Sequence, residues 1–304
     1  SNDGVIKILA IGNSFSENAI ESNLYELAKE SGQTVIIGNM YIGGASLAQH
    51  RKNVEGELYA YDYRKIREDG EKKTYTKISI ARALEDEPWD YISFQQASPL
   101  SGLLDSTRED LAAVFNYVKS RVTNPNVKYI YHQTWAYAPT TNHSGFANYD
   151  KDQMKMYNGI VNVSENVKSI VPIDIIVPAG TAIQDARTSI LGESFTAGDG
   201  YHLNDFGKYV AACTWFEVLF GKTVVGMKYK PSVLSKFEVT VAQNAAHFAV
   251  AKPFETTSMA EFQVEPGPLD YPVLVNFGNT AAILPWNQVS SFTEGTKTNL
   301  KDSL

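Results

Sequence analysis

The chain contains very little cysteine and no concentrated positive charge. Cys213 is the only cysteine among 304 residues, so a disulfide within the chain is impossible and a cysteine-based zinc site is excluded. The formal net charge is -7, and no run of Lys and Arg provides the phosphate-neutralising patch that nucleic-acid binding requires. We therefore expect no nucleic-acid partner.

Long apolar runs and nucleotide-binding motifs are also absent from the sequence. The longest apolar stretches, such as residues 5–11 and 173–177, have the size of strands and are far shorter than the roughly 20 residues that span a bilayer. Neither GxGxxG nor GxxxxGK followed by Ser or Thr occurs. We expect no membrane-spanning segment, no cofactor and no metal, while the oligomeric state stays open.

The first residues, Ser1-Asn2-Asp3, include neither an initiator Met nor an apolar signal segment. This start is typical of a chain whose leader has been removed. We therefore expect an exported protein, which would be periplasmic, bound at the cell surface or secreted.

Apolar, β-branched runs alternate with helical patterns up to about residue 220. Such alternation predicts a parallel sheet that is covered by helices on both faces. Ligands bind such sheets at the carboxyl ends of the strands. Strands are predicted at 5–11, 34–40, 91–95, 127–134 and 173–177, and helices at 20–28, near 104–122, near 153–170 and at 206–219.

Two regions depart from this alternation. Residues 58–76 carry alternating tyrosines and an Asp-Gly pair, which predicts a solvent-facing β-hairpin, either a rim over the substrate or a hairpin without a role in binding. We place a main domain at 1–225 and a C-terminal extension at 226–304, which holds a helix at 239–251 and a strand at 272–277. The extension is either an arm on the main domain or the start of a β module.

A serine and a histidine with a nearby carboxylate stand at opposite ends of the main domain. Ser14 follows the first strand, and Asp199 and His202 lie three residues apart before the last helix. A serine hydroxyl needs an imidazole base, and the imidazole needs a third group that fixes its tautomer. Each residue also has a structural interpretation, because Ser14-x-x-Glu17 matches a helix capping box and Asp199 suits a turn.

The segments Gly12-Asn13-Ser14-Phe15-Ser16, Gly43-Gly44 and Asp199-Gly200-Tyr201-His202 resemble, in this order, blocks of the SGNH hydrolases, also called GDSL esterases. The similarity covers about residues 5–220. It implies a three-layer α/β/α, flavodoxin-like fold and ester hydrolysis through an acyl-enzyme. Ser14 would be the nucleophile, His202 the general base and then acid, and Asp199 the orienting carboxylate.

The same resemblance implies an oxyanion hole. Its donors would be the backbone N–H groups of Ser14 and Gly44 and one side-chain amide. The family supplies that amide from an Asn that this sequence lacks, and Gln95 or Gln96 stands at the end of the corresponding strand. The third donor would then come from a glutamine.

Aromatic residues and a histidine close to the predicted strand ends are candidates for substrate binding. They are Trp135, Tyr137, Phe15 and His132, each of which also suits a core position. The serine site favours a metal-independent serine esterase. Its resemblance to the SGNH hydrolases, together with these aromatic residues, implies that it removes a small acyl group, with acetyl as the first candidate, from a carbohydrate or a related hydroxylated compound.

Two other functions stay open. The first is a non-catalytic glycan-binding or surface-assembly protein that kept the esterase scaffold, as the missing Asn suggests. The second is a metal-assisted phosphoesterase with Asp199 and His202 as ligands, which is disfavoured because further ligands do not cluster in the sequence.

Overall fold

A computed structural model describes residues 4–262, 275–277 and 287–289 of the chain. A seven-stranded sheet forms its centre. The strands are β1 (Val5–Gly12), β2 (Thr34–Tyr41), β3 (Tyr61–Ile66), β4 (Lys72–Ile78), β5 (Tyr91–Phe94), β6 (Lys128–His132) and β7 (Ile175–Val177). Their order across the sheet is β4-β3-β2-β1-β5-β6-β7. The five strands from β2 to β7 in this order run parallel, while β3 and β4 are antiparallel additions at one edge.

Helices cover both faces of this sheet. Because side chains alternate along a strand, Ile8 and Ala10 of β1 enter one apolar core, and Leu9 and Ile11 enter the other. The predicted parallel sheet between two helical layers is therefore confirmed, and its parallel strands have the flavodoxin-like order. The helices are α1 (Ser14–Ile20), α2 (Leu24–Glu30), α3 (Leu47–Glu55), α4 (Ile80–Asp86), α5 (Asp105–Lys119), α6 (Gln153–Asn166), α7 (Ala179–Arg187), α8 (Asp205–Phe220) and α9 (Lys236–Ala251), with short 3-10 helices at Ser98–Leu100, Ser144–Tyr149 and Val167–Ser169.

The region between β1 and β2 differs from the prediction of one helix at 20–28. It forms two helices, because α1 ends at Ile20 and α2 begins at Leu24. Ser22 and Asn23 stand between them, and both residue types favour caps and turns over helix interiors.

The predicted hairpin is present but is not simply solvent-facing. Strand β3 pairs with β2 and so extends the main sheet, with β4 outside it. Tyr61 and Tyr63 are buried, whereas Tyr59 and Tyr75 are exposed. The tyrosine alternation therefore marks a half-buried edge of the sheet.

Helix α9 lies beyond the expected boundary at residue 225, yet it shares the core of the main domain. Val241, Ala242 and Ala245 are fully buried in the same cluster as α7 and α8, and the first compact unit extends to residue 263. In the second unit, β8 (Val275–Phe277) pairs in parallel with β9 (Asn287–Val289). Residues 272–274 of the predicted strand lie outside the described residues.

Across the described ranges, no helix combines the length and the apolar character that crossing a bilayer demands.

Two histidines are fully buried in the folded chain. Burial lowers the pKa of His50 to about 4 and the pKa of His132 to about 3, so both rings are neutral at physiological pH. His132 donates from Nδ1 to Oε1 of Gln95 at 3.0 Å, and His50 Nδ1 lies 2.9 Å from the hydroxyl of Tyr61. The unfolded chain would titrate both rings near pH 6.5.

These lowered pKa values predict acid sensitivity. The contribution of the two neutral histidines to the free energy of unfolding is fully present above pH 6.5. It is lost as the pH falls below 6.5, since only the unfolded chain then takes up protons. Each histidine should contribute a slope approaching about 1.4 kcal/mol per pH unit towards pH 5. Urea unfolding of the parent and of His132→Asn between pH 7 and 5 measures the difference. Equal slopes in the two proteins would contradict the assignment.

The start of α7 leaves no room for a side chain at Gly180. A Cβ at this position would lie 2.0 Å from the carbonyl oxygen of Thr134, which is backbone and cannot turn away. We expect Gly180→Ala to lower the free energy of unfolding by about 1–3 kcal/mol, as overpacking does. Gly198→Ala is the control because a Cβ there has nothing within 4 Å. Urea denaturation that gives both variants the same stability would refute this close contact.

Candidate active site

Ser14, His202 and Asp199 come together at the carboxyl edge of the sheet. Ser14 is the first residue of α1, directly after β1, and the other two lie in the loop before α8. The Ser14 hydroxyl donates to Nε2 of His202 at 2.8 Å, and Nδ1 of His202 donates to Oδ2 of Asp199 at 2.7 Å. This is the arrangement of a nucleophile, a base and an orienting carboxylate.

The hydroxyl of Ser14 is not used as a helix cap. Asn13 is the N-cap of α1, since its Oδ1 accepts from the N–H of Phe15 at 2.9 Å, and Ser16 completes the capping box. The alternative interpretation of Ser14 as the cap, paired with Glu17, is therefore wrong. Because Asn13 performs this role, the Ser14 hydroxyl is left to His202.

Asp199 fixes the position of His202 through the turn that connects the two residues. Its Oδ1 accepts from the backbone N–H groups of Tyr201 and His202, both at 3.0 Å. Burial raises the pKa of Asp199, but the hydrogen bonds from Tyr201 and His202 outweigh burial, and the pKa lies below its ordinary value. Gly200 has a φ of +76°, and a Cβ there would lie 2.8 Å from Cβ of Thr141, so the turn requires glycine.

Asn18 and Trp135 hold the histidine loop against the serine helix. The N–H of Leu203 donates to Oδ1 of Asn18 in α1 at 2.8 Å. On the other side, Trp135 stacks on Phe15 with 4.2 Å between the ring centroids and donates from Nε1 to the carbonyl of Tyr201 at 2.8 Å. Base and nucleophile are thus fixed relative to each other although 188 positions separate them.

Two backbone N–H groups are suited to stabilise an oxyanion. Ser14 lies at the start of a helix, where N–H groups lack partners, and Gly44 lies in the loop after β2 with a φ of +68°. Within residues 4–262, no acceptor takes the N–H of either residue. Asn13 fixes the Gly44 loop by donating from Nδ2 to the carbonyl of Ala45 at 2.9 Å.

The two glutamines after β5 differ from the expectation that one of them supplies a third oxyanion donor. Gln95 donates from Nε2 to Oδ1 of Asn13 at 2.8 Å, and Gln96 donates from Nε2 to the carbonyl of Ser106 at 2.9 Å. Both side chains are buried and neither lines the cavity at Ser14. Their amide nitrogens serve to join segments of the fold.

A cavity of about 330 Å³ opens above Ser14 and His202. Of the four residues expected to bind substrate, Phe15 lines it, whereas Trp135, Tyr137 and His132 are fully buried beneath its walls. The expectation that these three residues bind substrate is therefore wrong, and they support the wall of the cavity from within. The remaining wall is formed by Asn13, Tyr41, Gly43, Gly44, Ala97, Ser98, Pro99, His143 and Tyr201.

Several of these wall residues escaped the sequence analysis. Ser98 and Pro99 follow the glutamines after β5 with only Ala97 between, so their position after a strand end could have indicated them. Tyr201 lies between Asp199 and His202, so the spacing of those two residues could have indicated it. His143 lies in a polar loop, and no local pattern in the sequence marks it. Within the described parts of the chain, no three His, Cys, Asp or Glu side chains gather as metal ligands would.

Comparison with known proteins places this geometry in a family context. The sequence pattern of the domain of unknown function DUF4886 matches residues 7–249. A crystal structure of a DUF4886 family protein from Bacteroides uniformis is 48% identical, with a TM-score of 0.83 over 85% of this chain and 100% of that chain. No curated protein matches the sequence.

Two solved structures show a weaker likeness. A carbohydrate esterase family 3 protein from Talaromyces cellulolyticus is 13% identical, with a TM-score of 0.47 over 71% of this chain and 97% of that chain. A variant of an acetyl-xylooligosaccharide esterase from Geobacillus stearmophilus is 12% identical, with a TM-score of 0.46 over 75% of this chain and 97% of that chain. The DUF4886 pattern matches more than half of the chain, and the chain belongs to the DUF4886 family.

Proposed function

We propose that this protein is a serine esterase that works through Ser14, His202 and Asp199. The observation that carries the proposal is the continuous hydrogen-bond chain from the Ser14 hydroxyl through His202 to Asp199, with distances of 2.8 and 2.7 Å. Nδ1 donates to a carboxylate, so the neutral ring presents the Nε2 lone pair to the hydroxyl, as a general base must.

In the first half of the reaction, Oγ of Ser14 bonds to the carbonyl carbon of the ester, and its proton passes to Nε2 of His202. The negative charge that develops on the carbonyl oxygen lies towards the N–H groups of Ser14 and Gly44. His202 then gives its proton to the alcohol oxygen as the bond from that oxygen to the carbonyl carbon breaks. The products are the free alcohol and an acyl group on Ser14.

In the second half, water replaces the alcohol. His202 takes a proton from the water as its oxygen bonds to the acyl carbon, and it returns the proton to Oγ of Ser14 as the acid leaves. Asp199 remains ionised throughout, since its pKa is lowered, and its charge stabilises the imidazolium form of His202 in both halves.

The proposed substrate is a small acyl ester, namely an acetate, of a carbohydrate or a related hydroxylated compound. The cavity of about 330 Å³ supports a small substrate, because ligand sites commonly measure about 300–1,000 Å³. Phe15, Tyr41 and Tyr201 give its wall flat aromatic surfaces against which a sugar ring can pack. The two backbone donors at Ser14 and Gly44 lie in the same cavity.

Replacement of the nucleophile should remove activity while the fold stays intact. We expect Ser14→Ala to lower the turnover of 4-nitrophenyl acetate by at least about 10³-fold, and a serine-directed phosphonate to add one adduct to Ser14 of the parent. Ser232→Ala, at an exposed position, is the matched control and should keep full activity. Retained turnover in Ser14→Ala would exclude Ser14 as the nucleophile. Glycan binding by a parent that stays unlabelled would favour a binding protein instead.

Replacement of the orienting carboxylate tests the base. In Asp199→Asn an amide N–H can face Nδ1 of His202, which would move the ring proton to Nε2 and remove the lone pair that Ser14 needs. We expect kcat to fall by about 10³–10⁴ with little change in KM. Steady-state kinetics with 4-nitrophenyl acetate measures both values. A loss confined to KM would show that Asp199 serves binding and does not orient His202.

A further inference from the structure

Three rings form a row along one wall of the cavity, and two of them have no part in the proposed reaction. Tyr201 lies next to His202 with 4.4 Å between the ring centroids, and His143 lies next to Tyr201 with 4.8 Å between the centroids. All three residues line the cavity that contains Ser14. The row therefore leads from the catalytic base to a second histidine.

The tautomer of His143 follows from one hydrogen bond. Nδ1 of His143 accepts from the backbone N–H of Gly145 at 3.0 Å. A backbone N–H can only donate, so Nδ1 carries the lone pair and the proton of the neutral ring is on Nε2. In the part of the chain that the structure describes, this Nε2–H donates to no other group. His143 thus keeps a donor for a ligand.

The ring of His143 is held in place before any ligand arrives. His143 is the N-cap of the 3-10 helix Ser144–Tyr149. Gly145 packs so closely that a Cβ there would lie 2.3 Å from Cβ of Pro99, which joins this loop to the wall of the cavity. The ring of Tyr137 also packs near His143, with 5.0 Å between the ring centroids. A donor fixed in this way loses little entropy when it binds.

The proposed reaction determines which part of the substrate meets this donor. The carbonyl oxygen turns to the N–H groups of Ser14 and Gly44, whereas Nε2 of His202 must reach the oxygen of the leaving alcohol. Beyond that oxygen, the row of rings offers the alcohol part a path from His202 along Tyr201 to His143. An alcohol part on this path would pack on Tyr201 and bring one of its further oxygens to Nε2 of His143.

We propose that His143 is a specificity-determining residue, which donates from Nε2 to an oxygen on the alcohol part of the ester and so favours hydroxylated alcohols over apolar ones. This inference rests on the proposed esterase function. The variant that tests this inference is His143→Asn. Asn is a good N-cap, so its Oδ1 can keep the bond to the N–H of Gly145 while the distal N–H of the ring is lost.

The test compares two acetate esters. Phenyl acetate has an alcohol part without a further oxygen, and a methyl glucoside that carries a single acetyl group has several. For His143→Asn we expect the ratio of kcat/KM, glucoside ester over phenyl acetate, to fall about tenfold, mainly through KM of the glucoside ester, as the loss of one hydrogen bond predicts. The matched control is Asn142→Ala, at the exposed neighbouring position, which should keep the ratio of the parent. A ratio that stays within twofold of the parent in His143→Asn overturns the proposal.

A parent protein without esterase activity would give a different result, which separates the two proposals. If the parent hydrolyses neither ester, the proposed function is wrong, and titration calorimetry with methyl glucoside then decides on His143. Binding to the parent that weakens at least fivefold in His143→Asn supports the donor role. Equal binding to both proteins, or binding to neither, overturns it.

Discussion

The side-chain amide of Asn13 is the contact on which the geometry of the site depends. Its Oδ1 accepts from the N–H of Phe15 in α1 and from Nε2 of Gln95 after β5, and its Nδ2 donates to the carbonyl of Ala45. One amide thus joins the serine helix, the end of the neighbouring strand and the loop that carries Gly44. Because it also caps α1, it leaves the hydroxyl of Ser14 to His202 and the N–H of Ser14 to a ligand.

The orientation of this amide is set by the backbone around it. The N–H of Phe15 can only donate and the carbonyl of Ala45 can only accept, so Asn13 turns its oxygen to the first and its nitrogen to the second. Gln95 must then present its Nε2 to Oδ1 of Asn13 and its Oε1 to His132, whose Nδ1 therefore carries the proton. Burial lowers the pKa of His132, so this chain of hydrogen bonds beneath the nucleophile contains no buried charge.

The sequence carried enough information for the sheet and for the three proposed catalytic residues. Strand β1 is a continuous apolar run because both of its faces are buried, and a serine after such a strand opens the next helix. The inward direction of Gln95 was not predictable, since it depends on Asn13 and His132, which are distant along the chain. Helix α9 was placed in the extension for a similar reason, because only the fold shows that its apolar face completes the core around α7 and α8.

Trp135 shows why a residue predicted to contact substrate can instead shape the site from within. Its ring is fully buried, lies parallel to Phe15 within 6°, and donates to the carbonyl of Tyr201. Phe15 follows the nucleophile and Tyr201 precedes the base, so one rigid side chain sets the spacing between the serine helix and the histidine loop that meet at the cavity. The distance from Ser14 to His202 is therefore a property of the packed core, and the aromatic wall that a substrate would meet is the outer layer of that packing.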